Sequence, residues 1–449
     1  MKLQISEQLN RLAKACPFPL YIVGGTVRDN LAGLKREKSD IDICAPASAD
    51  EFFTVAEGCG AKINSVYRNT GTVKLTLEGE EYEFASFRSD EYVRGIHTPV
   101  KTFFTDDIRL DALRRDFKCN AVYYDIKNQS FVDPLGGIED IKNKLLTTVT
   151  DADKVFSEDG LRLMRLARQS AQLGFSPSEE CVSGARKNSS LISDVSPERV
   201  YAELDAILHA DLSYGMRGGQ YRGLKLLEET GVLQYILPEL TEGKGMAQNE
   251  KFHSHDVLEH SLRTVLYADK DIRLAALLHD IGKPYCFINS GNFRGHEIEG
   301  ERIARQVCSR LKVPKKLTAE VAELCALHMY DLTCEARENK VRRFIVKNGS
   351  VYEKLLKIKQ ADFSACKDNL GETPCVTKWR KIHAKMEKEG APFNLKQLKV
   401  KGDELILAGV QKERAGEILN VLLFDCAIEP KLNEKHTLIK RALNIYQKQ

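Results

Sequence analysis

The chain has 449 residues, of which 43% are hydrophobic and 29% charged, and a formal net charge of +3. That length exceeds a single hydrophobic core and predicts about three or four domains. Near-neutrality excludes a uniformly basic nucleic-acid binder, so any such affinity must come from local basic faces.

Twelve cysteines without a Cys-x-x-Cys pair exclude a zinc ribbon or a disulfide framework and point to a reducing compartment. The N-terminus lacks the apolar core of a secretory signal, and no apolar run approaches the roughly 20 residues that span a bilayer. The expectation is a soluble, cytoplasmic protein without membrane contact.

Residues 1–20 read as a short amphipathic helix with Ile5, Leu9, Leu12 and Ala15 on one face, ended by the Cys16-Pro17 turn. Tyr21, Ile22 and Val23 read as a buried strand broken by Gly24 and Gly25. Thr26 then reads as the cap of a helix carrying Val27, Leu31 and Leu34, with Gly33 near its end. A second strand alternates Asp40 and Asp42 with Ile41 and Ile43, so both carboxylates share one face. Strands are predicted over 62–67, 72–77 and 82–87, and the last would turn Glu83 the same way as the two aspartates. Residues 88–106 are polar and aperiodic and read as a mobile loop. After Val122, Tyr123 and Tyr124, a turn at 131–137 closes this mixed unit.

From about 138 strands are expected to stop. Helical periodicity covers 158–173, 179–192, 197–209 and 222–230, and 241–254 reads as a linker. A histidine-rich helical block extends to about 365. A lysine-rich helical segment follows, with Lys378, Arg380, Lys381 and Lys385. The predicted class is α+β: a head over 1–140 with a small mixed sheet, then an elongated all-α array. That array divides into helical segments over 141–240, 241–365 and 366–449.

Two aimed carboxylates are costly to place together without a cation between them. Asp40 and Asp42, with Glu83 as a tentative third, can hold two Mg²⁺ ions for in-line nucleotidyl transfer. Gly24 and Gly25 let backbone N–H groups approach a phosphate at the helix N-terminus, beside Arg28. Arg114 and Arg115 can hold phosphate bidentately. Asp116 can accept a bond from a ribose hydroxyl, with Asn120 on the same short segment.

Ser157 reads as the cap of a helix whose first turn holds Glu158 and Asp159, with Arg162 three residues on. Cytosine and adenine each present an amino donor beside a ring-nitrogen acceptor. A carboxylate next to a guanidinium matches that edge, and uracil and guanine show the reverse order. Asp159 and Arg162 therefore read as a template for C and A.

Six of the ten histidines fall between His253 and His328. His279-Asp280 ends the apolar run 274–278, and His260 follows Val257, Leu258 and Glu259. Neutral imidazole with carboxylate is a mixed N/O set for a second divalent metal such as Mn, Ni, Co, Fe or Mg.

Five motifs occur in a distinctive order: Val23-Gly24-Gly25-Thr26-Val27-Arg28-Asp29 with Asp40-Ile41-Asp42; residues 114–121 (Arg-Arg-Asp-Phe-Lys-Cys-Asn-Ala); residues 133–137 (Asp-Pro-Leu-Gly-Gly); residues 158–162 (Glu-Asp-Gly-Leu-Arg); and residues 196–200 (Ser-Pro-Glu-Arg-Val). Over about 21–210 the chain resembles the class II CCA-adding tRNA nucleotidyltransferases, which share this pattern with bacterial poly(A) polymerases. The resemblance implies a nucleotidyltransferase-fold head followed by neck, body and tail. It implies that tRNA, CTP and ATP are the partners and that Asp40 and Asp42 bind the catalytic metals. It also implies that Arg114, Arg115 and Asp116 handle ribose and phosphate, and that Asp159 and Arg162 read the base. Residues 196–200 would steady the base-reading helix, and 88–105 would be the loop that helps switch from C to A addition.

The histidine block resembles the HD domain of metal-dependent phosphohydrolases. That likeness implies His260, His279, Asp280 and Asp362 as core ligands, with His296 and His328 completing a wider site. Three rival readings remain open at this level. One is a poly(A) polymerase or A-adding enzyme; the second is an HD phosphohydrolase with a nucleotide-sensing head; the third is a non-catalytic RNA-binding helical protein.

Overall fold

The computed structural model describes residues 3–35, 41–92 and 100–447. They group into two compact units, Met1–Thr241 with Arg310–Val313, and Glu242–Ser309 with Pro314–Gln449. Asp40 lies outside the described residues, as does the centre of the expected 88–106 loop.

The first unit starts with helix α1 (Glu7–Ala15), which buries Leu9, Leu12 and Ala13. A seven-stranded sheet follows, built from β1 (Tyr21–Val23), β2 (Ile41–Ala45), β3 (Lys62–Tyr67), β4 (Thr72–Leu77), β5 (Glu80–Ser86), β8 (Tyr123–Asp125) and β9 (Ser130–Val132). Its spatial order is β3-β4-β5-β2-β1-β8-β9. The β2–β5 pairing is parallel and the other pairings antiparallel, so the sheet is mixed. Helix α2 (Gly25–Ala32) connects β1 to β2, and α3 (Ala49–Gly58) packs Phe52 face to face on Phe84 of β5, with ring centroids 3.8 Å apart. Alternation decides which face is which: Ile43 is fully buried while its neighbour Asp42 is exposed.

Three local expectations are corrected here. Thr26 is not the cap of α2; Gly24, at φ 76°, precedes the helix and Thr26 sits inside its first turn. Residues 88–106 are not simply a loop. β6 (Arg88–Glu91) and β7 (Lys101–Phe104) pair as an antiparallel ribbon. Asp90 bridges it, accepting from Thr102 at 3.1 Å and from Arg88 at 3.2 Å. Polar cross-strand pairs hold this ribbon, so no apolar alternation advertises it. Strands also do not stop at 138, since two short parallel strands, β10 (Leu145–Leu146) and β11 (Ser176–Pro177), join beyond that point.

Between β7 and β8 lies α4 (Ile108–Leu113), and after β9 comes α5 (Gly137–Asn143). The helical part of this unit comprises α6 (Ala152–Glu158), α7 (Leu161–Leu173), α8 (Glu179–Asn188), α9 (Pro197–Leu208), α10 (Ala210–Tyr214) and α11 (Gly219–Glu229), then the short α12 (Leu233–Ile236) and α13 (Pro238–Thr241). Helix α7 packs between α9 and α11, burying Leu163, Met164, Leu166, Ala167 and Ala171.

The second unit is all helical: α14 (Val257–Tyr267), α15 (Arg273–Leu278), α16 (Gly282–Ser290), α17 (His296–Arg310), α18 (Lys315–Leu327), α19 (Glu338–Lys347), α20 (Tyr352–Lys367), α21 (Pro374–Lys388), α22 (Gly402–Leu407), α23 (Lys412–Ile428) and α24 (Lys435–Gln447). Helices α14 and α20 pack closely, with α15 against both. Among the described residues no helix is long and apolar enough to cross a membrane.

Candidate functional site

In the first unit, residues from the sheet, the ribbon and α7 line a cavity of about 540 Å³. Gly24, Gly25 and Asp42 form one part of its wall; Arg88, Asp90 and Tyr92 form a second. Arg114, Arg115, Asp116 and Asn120 contribute a third, and Asp159, Arg162, Arg165, Arg168 and Gln169 a fourth. With Arg28 and Arg199 that makes eight arginines against four aspartates, a cradle for a polyanion.

Gly24 shapes the Asp42 end of the cavity. A Cβ added there would stand 3.0 Å from Asp42 Oδ2, at a φ of 76° that side chains resist. Glycine therefore lets the start of α2 close onto the Asp42 carboxylate. Glu83 lies opposite Asp42 on the parallel strand, so the two share a face, yet Glu83 binds Lys74 at 2.9 Å and is not part of the cavity wall.

The arginines are held by a carboxylate that sequence reasoning missed. Asp111, fully buried on α4, accepts from Arg114 Nε at 2.8 Å, Arg115 Nη2 at 3.0 Å and the Tyr123 hydroxyl at 2.7 Å. Burial works to raise its pKa, but Arg115 and then Arg114 outweigh burial and hold it down at about 2. The spacing Asp111, Arg114, Arg115 is i, i+3, i+4, which was the available signal.

Asp116 does not stand open to a ribose. Its oxygens accept from Arg165 Nε at 2.8 Å, Asn120 at 3.0 Å, Gln169 at 3.3 Å and the Phe117 amide at 2.8 Å. Arg165 and these bonds keep the carboxyl well below the usual range in spite of its burial. Asp116 thus ties the 116–120 segment to α7. Arg28 is likewise braced, by Asp29 at 2.6 Å, Asn120 at 2.8 Å and the Tyr214 hydroxyl at 3.2 Å.

Ser157 is not a cap. It lies in the last turn of α6, where its hydroxyl donates to the Lys154 carbonyl. The chain breaks at Asp159 and Gly160 because Asp159 is extended, at φ −146°, and its carboxylate accepts from the Leu161 amide at 3.0 Å. Asp159 lies 3.7 Å from Arg199. Arg162 does not close a salt bridge on Asp159. It donates to Glu158 at 2.9 Å, the Val155 carbonyl at 3.0 Å and the Arg114 carbonyl at 2.8 Å, with Tyr92 stacked 5.4 Å from its guanidinium. Those bonds lock a guanidinium that can offer five N–H donors. Arg165 and Gln169 follow Arg162 at helical spacing on the same face; that periodicity was legible in the sequence.

The second unit gathers six of the predicted metal-ligand side chains. Asp280 Oδ1 faces His296 Nε2 at 3.2 Å and His328 Nε2 at 3.4 Å; Oδ2 faces His279 Nε2 at 3.2 Å and His260 Nε2 at 3.5 Å. Asp362 Oδ1 lies 3.0 Å from His260 Nε2. His279, His296 and His328 each direct Nδ1 to a backbone carbonyl, at 2.8, 2.8 and 2.6 Å. Each Nδ1 therefore carries the proton, and each Nε2 lone pair turns inward. Among the described residues, the buried Nε2 atoms of His260 and His279 lack hydrogen-bond partners. Inward lone pairs around two carboxylates fit a divalent cation.

Lys283 places its ammonium 2.6 Å from Asp280 Oδ2. Gly282 permits the approach: a Cβ there would strike the His296 carbonyl oxygen at 2.1 Å. His253 and Cys366 flank this cluster, with Sγ 3.5 Å from His253 Nδ1. Cys366 stands one helical turn after Asp362, a spacing the sequence reading overlooked.

Residues 20–147 match the Poly A polymerase head domain, 174–244 the probable RNA and SrmB-binding site of polymerase A, and 257–356 the HD domain. The A-adding tRNA nucleotidyltransferase of Deinococcus radiodurans is 29% identical over 435 residues, 90% of this chain and 91% of that one. The CCA-adding enzyme of Geobacillus thermodenitrificans is 36% identical over 240 residues, 54% of this chain and 55% of its own. Alignment with this and similar CCA-adding enzymes thus spans about half of each.

In fold, the chain resembles the Bacillus stearothermophilus CCA-adding enzyme in complex with CTP, with TM-score 0.69, 22% identity and 99% of each chain covered. It also resembles the Thermotoga maritima CCA-adding enzyme complexed with tRNA, with TM-score 0.63, 18% identity and coverage of 99% and 98%. The fold and the site define a nucleotidyltransferase that carries an HD domain. The chain belongs to the family of CCA-adding tRNA nucleotidyltransferases and poly(A) polymerases.

Proposed function

We propose that the first unit adds C, C and A to the 3′ end of tRNA from CTP and ATP. The observation that carries this is the placement of Asp159 and Arg162 on the wall of the cavity that holds Asp42 and the glycine turn. Asp42, with Asp40 beyond the described residues, would hold the divalent ions, Mg²⁺ in this reading. Such ions, when bound, neutralise the triphosphate and lower the pKa of the attacking 3′-hydroxyl.

The chain's own residues position the reactants. The glycine turn and the N-terminus of α2 approach phosphate, and Arg114 and Arg115, immobilised by Asp111, face the triphosphate as fixed cations. Asp159 accepts from the exocyclic amino group that C and A share, while Arg162 donates to the ring nitrogen beside it. A guanidinium only donates and an ionised carboxylate only accepts, so the reversed edge of U and G would set donor against donor and acceptor against acceptor.

The His/Asp cluster supports a second activity, hydrolysis of a phosphate ester, with His260, His279, Asp280, His296, His328 and Asp362 as the ligand set. A divalent ion there supplies Lewis-acid activation of the ester. The identity of that metal is open to choice among N/O-binding ions.

One-nucleotide-at-a-time extension of tRNA tests the main reading. Substrates lacking CCA and substrates ending in CC are offered CTP, ATP, UTP or GTP singly. CTP on the first and ATP on the second are the expected reactions; incorporation of UTP or GTP at the CTP rate would refute base reading by Asp159 and Arg162. The near-complete alignment with an A-adding relative favours a second reading, addition of A alone. Under it, only the substrate ending in CC is extended. An Asp42→Ala variant that still transfers CMP would instead favour a hydrolase with a sensing head.

A further inference from the structure

His253 lies on the 241–254 segment, whose composition reads as a linker, yet its surroundings are fixed. The Ser254 amide donates to the Cys366 carbonyl at 3.0 Å, and Lys367 donates to the Lys251 carbonyl at 2.8 Å. These bonds tie the segment to the C-terminal end of α20 and bring His253 Nδ1 to 3.5 Å from Cys366 Sγ. Asp362, one turn earlier on α20, places Oδ1 3.9 Å from the same sulfur and 3.0 Å from His260 Nε2. The His253 and His260 rings meet edge to face, with centroids 4.9 Å apart. Ligand atoms of His253, His260 and Cys366 all lie within 4.8 Å of one another. His260 is fully buried, and among the described residues neither of its ring nitrogens has a hydrogen-bond partner. A cation would remove that cost. Tetrahedral zinc, with Zn–S about 2.3 Å and Zn–N about 2.0–2.1 Å, sets sulfur and nitrogen ligands about 3.5 Å apart. Cys366 Sγ and His253 Nδ1 already stand at that separation. His253, Asp362 and Cys366 also line a cavity of about 430 Å³ whose walls include Phe252 and Phe363. The cavity supplies an entry path, and its apolar lining limits competition from water.

We propose that His253, His260, Asp362 and Cys366 form a separate cation position on the flank of the cluster around Asp280, a mixed N, O and S site for Zn²⁺. The sulfur is what sets it apart, because a thiolate favours Zn²⁺ over Mg²⁺ or Mn²⁺ where imidazole and carboxylate discriminate less. On binding, the Cys366 thiol releases its proton to solvent and the sulfur gives its lone pair to the metal. His260 and Asp362 also face the cluster, so Zn²⁺ on the flank draws on both and leaves Asp280 to His279, His296 and His328. The position does not depend on hydrolysis at the cluster and stands apart from that reading.

The test uses the full chain, reduced, stripped of metal with a chelator and titrated with Co²⁺. A cobalt–thiolate bond gives a near-ultraviolet charge-transfer band that nitrogen and oxygen ligands do not. Wild type is expected to show the band and to lose it when Zn²⁺ displaces Co²⁺. Cys366→Ser should abolish it, and His253→Gln should weaken Zn²⁺ binding at least about tenfold in competition with a chelator. His253 is half-buried, so its variant stays informative if Cys366→Ser folds poorly. Cys334→Ser, which removes another thiol of the same cavity, and Asp280→Ala should both keep the band. No band in wild type, or a band that survives Cys366→Ser, overturns the site. Unchanged Zn²⁺ affinity in His253→Gln overturns the four-ligand set. Loss of the band in folded Asp280→Ala overturns a separate position and assigns the sulfur to the cluster's own cation.

Discussion

Replacing Asp111 by asparagine keeps the side chain's shape and removes its charge from between Arg114, Arg115 and the Tyr123 hydroxyl. The carboxyl moves from an ordinary 3.8 to about 2 in the folded protein. A shift of nearly two pH units corresponds to about 2.5 kcal/mol of folding free energy. Loss of one partner from a buried charge cluster costs about 3–5 kcal/mol in general, so about 3 kcal/mol is the expectation. The sign follows from a depressed pKa: the stabilisation is complete above pH 4 and fades as pH falls toward 2. Wild type and Asp111→Asn should therefore differ most at neutral pH and converge below pH 4.

Urea unfolding followed by circular dichroism measures this difference. The single tryptophan, Trp379, lies in the second unit, so its fluorescence serves as an internal control that should not move. The same variant frees Arg114 and Arg115, and the KM for CTP should rise about tenfold. An unshifted first-unit transition at pH 7, or a stability gap that widens in acid, would refute the assignment of Asp111 as the electrostatic anchor.

Gly24→Ala places a Cβ 3.0 Å from Asp42 Oδ2 at a positive φ; nucleotide transfer should fall at least about tenfold, for roughly 1–2 kcal/mol of displaced geometry. Steady-state extension of tRNA measures this, and unchanged kcat would argue against a close Gly24–Asp42 approach. Asp280→Ala removes the carboxylate that faces four imidazoles. Metal analysis of the purified protein should show loss of the ion at that cluster, while tRNA extension continues at the wild-type rate. Tyr214→Phe deletes a hydroxyl that donates to Asp29 at 2.6 Å and accepts from Arg28 at 3.2 Å; denaturant titration should register a loss of about 1 kcal/mol.

Local patterning made much of the head legible. The alternation around Ile41 and Ile43 and the runs at 62–67 and 72–77 become strands because a half-buried sheet imposes period two. The ribbon of β6 and β7 stayed hidden, since Asp90, Thr102 and Arg88 hold it through polar groups that look like loop residues. The break at Asp159 was also invisible: Glu158, Asp159 and Gly160 suit a first helical turn and a helix junction equally, and packing of α6 and α7 selects the junction. In the second unit, His279-Asp280 advertised a cluster, but its extent required Cys366 and His253 to be brought beside Asp362 by the packing of α14 against α20.

The sequence by itself determined which chemistry this protein carries. An aspartate on a strand beside a glycine turn, an Asp/Arg pair at helical spacing and histidines at helix ends are local facts of order and period. Only the tertiary structure decided what each polar group is free to do. Asp116 became a brace through Arg165 and Gln169, and Arg162 a locked donor through the Arg114 carbonyl, partners far away in the chain; Asp111 became an anchor for near neighbours because the fold buries it. Local periodicity can show which face a side chain occupies, but not what stands opposite it.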